Sequence, residues 1–150
     1  MVLLCIGLLG CDPQKVYESD INFEGKIWDM NETPVFAFKL EQTKTVDIIF
    51  KLRNDLDYPF QNLYIQYVFK TAEGKELKKD LMNLTLFDTK TGIPTGTGNS
   101  IFQNRTVLLS SETLSPGNYE IELAQYMRED KLAGVYSAGI RVEESMGKDN

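Results

Sequence analysis

With no histidine among its 150 residues, the chain has no Ser-His-Asp triad, no Cys-His pair, no His-ligated zinc and no imidazole base for neutral pH. Acid–base chemistry would rest on carboxylates. Asp55 and Asp57, two apart, could offer oxygens to calcium, but the further acids and glycine of an EF-hand loop do not follow, so turn formation is the simpler reading. Glu120 and Glu122 share one face of an alternating run and could flank a glycosidic bond as acid and nucleophile, although any solvated strand face has that spacing. Lys90 to Ser100 carries the glycines of a phosphate loop without its terminal Gly-Lys-Ser or a following helix, and reads as a flexible loop. Trp28, Tyr64, Tyr67 and Tyr126 could form a platform for a sugar ring, although filling a sandwich core is the simpler reading. The glycosylation-like tripeptides at Asn31, Asn83 and Asn104 are too common a pattern to assign. No metal, cofactor or small-molecule substrate is expected.

The definite chemical expectation falls on Cys11. Val2 to Leu9 is an apolar run long enough for the core of a secretory signal and too short to span a bilayer. It ends in Leu8-Leu9-Gly10-Cys11, which resembles the lipobox of bacterial lipoproteins, where diacylglycerol alkylates the cysteine thiol and the peptide is cut just before it. Residues 1–10 are therefore expected to be a removed signal peptide, and residues 11–15 a lipidated cysteine with a short polar tether around Pro13. No Lys or Arg precedes the run, which points to a true start upstream. Cys5 leaves with the signal and Cys11 is consumed by lipid, so no disulfide is expected. Two or more acyl chains make a stable anchor, so the bilayer is one partner and the cell envelope the location, periplasm-facing on the inner or outer membrane. A net charge of -6 without a basic run argues against nucleic acid and against anionic headgroups as principal partners.

The elements that position these residues read as strands. Val46, Ile48, Phe50 and Leu52 alternate with more polar neighbours, as do Tyr119, Ile121 and Leu123. Val35 to Leu40 and Asn62 to Lys70 carry apolar residues on both faces and are expected inside a sheet or beneath a second layer. Leu77 to Leu86 fits helix or strand and is assigned as strand. Glu73-Gly74 closes a hairpin, Ser115-Pro116-Gly117-Asn118 fits a type II turn, and Val135 to Val142 forms the last strand. The expected fold class is all-β: a single antiparallel β-sandwich of immunoglobulin-like or jelly-roll type over residues 16–143, with 144–150 a disordered polar tail.

Several segments in order resemble one family. They are Val16-Tyr17, Arg53-Asn54 with Asp57-Tyr58-Pro59-Phe60-Gln61-Asn62-Leu63-Tyr64, Pro116 to Glu122, Gln125 to Val135, and Gly139-Ile140-Arg141-Val142. Together they look like the gliding motility lipoproteins named GldH, from the lipobox to about Glu143. Lys90 to Gln103 lacks the tryptophan expected there. The resemblance implies a non-enzymatic cell-envelope lipoprotein required for surface gliding, whose partners are other proteins of the gliding machinery and of the associated secretion machinery of the outer membrane. Within the matched segments, Arg128 supplies a planar, permanently charged donor at a strand end, so Tyr126, Met127, Arg128 and Asp130 form the candidate partner-binding site. An ion pair of Arg128 with Asp130 or Asp57 is the competing reading. A membrane-anchored carbohydrate-binding module on the same sandwich is the alternative function.

Overall fold

The computed structural model describes residues 10–146, so the expected signal peptide up to residue 9 and the last residues of the expected tail, 147–150, lie outside the described residues. Among the described residues ten strands form: β1 (Lys15–Asn22), β2 (Ile27–Asp29), β3 (Val35–Leu40), β4 (Lys44–Asn54), β5 (Asn62–Thr71), β6 (Glu76–Thr85), β7 (Phe102–Leu114), β8 (Gly117–Gln125), β9 (Lys131–Ala133) and β10 (Val135–Glu144). A 3-10 turn at Glu24–Lys26 joins the first two.

Eight of these strands make two four-stranded antiparallel sheets, ordered β1-β10-β4-β7 and β3-β8-β5-β6, and β2 with β9 makes a small ribbon. Counting only the eight in chain order, the sheets run first-eighth-third-sixth and second-seventh-fourth-fifth. That is the double Greek key of a jelly roll, and it decides between the two sandwich types expected. Only β5 and β6 join as a hairpin within one sheet, through Gly74; the other main-strand connections cross between sheets.

Period-two burial explains the pairing. On β4, Val46, Ile48, Phe50 and Leu52 point inward, and on β8, Tyr119, Ile121 and Leu123 do the same. The sheets meet through these faces: Tyr17 of β1 lies 5.8 Å from the Phe38 ring of β3, and the Tyr119 ring sits 5.6 Å from Phe38 and 5.7 Å from Phe69. Two expectations are corrected. Val35–Leu40 is an edge strand with one buried face, because Phe36, Phe38 and Leu40 share a parity while Val35 and Ala37 face out. The β7 to β8 connection is not a type II turn, since Gly117 has φ 155 and is already part of the strand. The ambiguous run from Leu77 is strand as far as Thr85, as β6. β10 runs on to Glu144, and Ser145 N–H donates to Thr45 O at 3.0 Å, so the fold extends slightly past residue 143.

Three turns at one end of the sandwich are short, spanning residues 41–43, 72–75 and 115–116, whereas the other end carries the long connections. There the β2–β9 ribbon covers the core mouth: Trp28 pairs across from Leu132, both fully buried, and stacks on Phe23 at 4.9 Å. Gly134 is decisive beside it. At φ +77 it lies so close to Tyr58 that an added Cβ would come within 2.2 Å of the Tyr58 backbone nitrogen. Gly134→Ala should therefore lower stability by about 2 kcal/mol or more. Ile65→Ala, in the centre of β5, should cost about 2–5 kcal/mol, and Leu81→Ala on the open face of β6 about 0.5 kcal/mol at most. Urea titration reads all three.

Candidate functional site

Gln125 is the last residue of β8 and is buried, so its amide must find partners inside. Its Nε2 donates to Glu129 O at 2.5 Å and its Oε1 accepts from Met127 N–H at 2.9 Å. This staple throws residues 126–129 into a tight loop with Arg128 at φ 59, a left-handed conformation unusual for a non-glycine residue. Tyr126 N–H donates to Tyr64 O at 2.8 Å, and the half-buried Met127 sets its Sδ 3.1 Å from the Tyr64 amide. Met30 N–H donates to Asp130 O at 2.9 Å, which ties β2 to the same loop.

The structure thus brings Tyr126, Met127 and Arg128 together as a ridge, with Asp130 at its foot. Hollows of about 390 and 350 Å³ flank the ridge, one reaching Met30 and Ala124, the other Tyr64 and Leu81. Tyr126 is 52% exposed and Leu81 46%, so the walls are apolar and open to solvent. Arg128 makes no ion pair among the described residues, and Asp57 is engaged by Lys26 instead. The competing ion-pair reading of Arg128 therefore has no support in the geometry.

The other candidates disperse. Trp28 and Tyr67 are buried, the indole N–H donating to Glu32 O at 2.9 Å, so only Tyr64 and Tyr126 remain of the sugar platform. Glu120 and Glu122 both lie near Lys70 Nζ, at 3.9 and 3.6 Å, which makes them a charge-balanced strand face. Asp55 and Asp57 share Lys26 Nζ at 2.6 and 2.7 Å, and the Asp57 N–H donates to Asp55 Oδ1 at 2.9 Å, which is the turn expected. Burial pushes the Asp55 carboxyl up, but the Lys26 ammonium and that backbone N–H outweigh it and hold it below its ordinary value. Among the described residues no cluster of three or more Cys, Asp or Glu could hold a metal, and no helix is long and apolar enough to cross a membrane. The 90–100 loop is pinned rather than free. Asp88 Oδ1 accepts from the Lys90 and Thr91 amides, and Thr95 Oγ1 reaches Thr85 O and Asn104 Oδ1. Gly96 and Gly98 serve packing, as a Cβ on Gly98 would meet Ile101 O at 2.0 Å.

Cys11 is exposed, and the tether behind it holds the feature that the sequence reading missed. Arg141 points outward from β10, with its side chain only 12% exposed, and spends each nitrogen on a different carboxylate. Its Nη2 donates to Asp12 at 2.6 Å, its Nη1 to Glu18 at 2.7 Å and its Nε to Glu143 at 2.7 Å. Glu18 also accepts from Lys51 Nζ at 2.8 Å, and Lys51 reaches Asp20 at 2.9 Å. Asp12 O accepts from Lys15 N–H at 3.3 Å, so residues 12–15 turn back on the sheet and are no loose tether. The signal in the sequence was an arginine at an outward position of an otherwise buried strand, Ala138 to Val142.

Residues 15–142 match the family model described as GldH lipoprotein. The chain is similar to the gliding motility lipoprotein GldH of Flavobacterium johnsoniae, 24% identical over 96% of this chain and 94% of that protein. Among solved structures it overlaps chains of infectious bursal disease virus, Gx and Gt strains, with TM-scores of 0.36 and 0.32 at 9 and 11% identity, covering 91% of this chain and 31 and 32% of theirs. Overlap at that level carries no argument.

Arg141 holds Asp12 below its ordinary 3.8, and Lys51 followed by Arg141 holds Glu18 below 4.5. A carboxylate depressed in the folded state stabilises it fully above the unfolded pKa and loses that contribution as pH falls through the folded one. The melting temperature should therefore hold down to about pH 5 and fall below about pH 4. Asp12→Asn with Glu18→Gln should lower the plateau and flatten that acid fall. An acid fall as steep in the double variant as in the parent would contradict the assignment.

Proposed function

The chain belongs to the GldH lipoprotein family, and on that premise we propose that it is a non-catalytic envelope component of bacterial gliding motility. It is anchored by acyl chains on Cys11 and holds partner proteins of the gliding and secretion machinery. The single observation that carries the reading is the family match over 15–142, which reaches into all ten strands. The side-chain chemistry supports it. The carboxylates that could have served catalysis are taken up by Lys26 and Lys70, whereas the Tyr126–Arg128 ridge with its apolar flanks has the aromatic, thioether and guanidinium groups that interfaces favour.

The carbohydrate-binding alternative keeps one observation, the neighbouring exposed tyrosines Tyr64 and Tyr126. It loses the indole and the third tyrosine to the core.

Cys11→Ser in the full reading frame should move the protein from washed membranes to the soluble fraction, since a single change removes every acyl chain. Arg128→Ala should reduce recovery of crosslinked partners from intact cells by about tenfold, in the range of a hot-spot truncation, with the melting temperature unchanged. Glu120→Ala should leave recovery at the parental level. Deletion of the gene should abolish spreading of a gliding strain on agar. Normal spreading together with saturable polysaccharide binding in calorimetry would replace this reading with the binding module.

A further inference from the structure

The outward face of the β1-β10-β4-β7 sheet combines two features that have no reason to coincide in a freely exposed surface. The first is the anchor. Residues 12–15 turn back and Asp12 is clamped to Arg141 on this face, so Cys11 begins one residue, about 3.8 Å between Cα atoms, from a fixed point on it. The second is an uneven charge. On the β1 side, the four carboxylates of Asp12, Glu18, Asp20 and Glu143 share the two cations of Arg141 and Lys51 and leave an acidic excess. On the β7 side, Arg53 and Arg105 are exposed and make no ion pair among the described residues.

Register places these arginines together. Arg53 pairs with Gln103 and Lys51 with Arg105, so the guanidinium stems are diagonal neighbours across β4 and β7, about 7–8 Å apart. Lys51 and Arg105 are directly opposite; Lys51 is held by Glu18 and Asp20, whereas Arg105 has no ion-pair partner among the described residues. A hollow of about 260 Å³ runs between them, and its charged lining is Glu18 and Asp20 against Lys51, Arg53, Arg105 and Arg141. Val107, 49% exposed, stands on the same face one pair further along. The chain as a whole is acidic, at -6, so unmatched arginines on the anchored face are against its general trend.

We propose that this sheet face lies on the membrane to which Cys11 attaches it, with Arg53 and Arg105 taking lipid phosphates. The inference rests on the lipidation of Cys11 put forward above. Guanidinium forks fit phosphate oxygens in pairs, and each basic contact at a lipid surface adds a modest attraction to what the acyl chains supply. The opposite sheet then faces away from the bilayer and carries Tyr64, Leu81 and the Tyr126–Arg128 ridge into reach of partners.

The test uses the full lipidated chain reconstituted into phosphatidylcholine vesicles with and without phosphatidylglycerol, with a headgroup-attached quencher. A fluorophore is placed on Val107→Cys in one sample and on Lys79→Cys, on the opposite sheet, in another; acylation of Cys11 is read by mass. The expected result is strong quenching at 107, little at 79, deeper quenching at 107 with anionic lipid, and relief by salt. Arg53→Glu with Arg105→Glu should abolish most of the quenching at 107 while acyl mass and melting temperature hold. Equal quenching at both sites, or full quenching at 107 in the double variant, overturns the proposal and leaves the anchor standing. Absence of acyl mass on Cys11 overturns the anchor and the proposal with it.

Discussion

Each of the two sheets can be stable in water only by hiding one face, and burial of those two faces against each other is the constraint on which every other feature rests. The inner surfaces are almost wholly aliphatic and aromatic, from Val46, Phe50 and Ile140 on one side to Phe36, Ile65 and Leu123 on the other. At about 25 cal/mol per Å² of apolar area removed from water, side chains of this size contribute about 1.5–3 kcal/mol each. No disulfide and no metal is required for that, and the long connections are free to differ because the core does not depend on them.

Once the inner faces are committed, the outer faces are left to electrostatics. They are organised differently. On one sheet the charges are laddered across strands with Arg141 as the hub, and a guanidinium this shielded is costly unless each nitrogen is satisfied, which three carboxylates achieve. Lys51 sits in the same ladder, where burial disfavours its charge and Glu18 and Asp20 more than restore it, leaving the ammonium raised above its ordinary pKa. On the other sheet Lys70 stands between Glu120 and Glu122, and Tyr64, Leu81 and Tyr126 are exposed towards the ridge.

The ends of the sandwich differ for a topological reason. A jelly roll sends most of its connections from sheet to sheet, and here the short ones gather at one end while the long ones gather at the other. The long end needs closing, and it is closed by side chains that would otherwise be exposed: Trp28 and Leu132 from the ribbon, Tyr58 from the bend at residues 55–61, with Gly134 leaving room for Tyr58 to pass. Tyr58 accordingly spends its hydroxyl on Asn62 O at 2.6 Å, and burial raises its pKa. The candidate ridge stands beside this closure, held by Gln125, so its shape is set by a buried amide.

How much was legible follows from what each feature depends on. Alternation of side chains is a property of consecutive residues, so strand positions such as Lys44–Asn54 and Gly117–Gln125, the all-β class and the family resemblance could be read from the chain itself. The carboxylate pairs were correctly read as turn and strand-face residues for the same reason, as two residues of spacing fix a shared face. Which strand lies at an edge, whether the sandwich is a jelly roll, and whether Trp28 is core or surface depend on which distant segments pair. No local pattern encodes pairing between β1 and β10, separated by most of the chain. The Arg141 clamp on Asp12 is the plainest case. Its partners are adjacent only because the first and last main strands are neighbours, so what reads in sequence as a short polar tether is fixed in the fold.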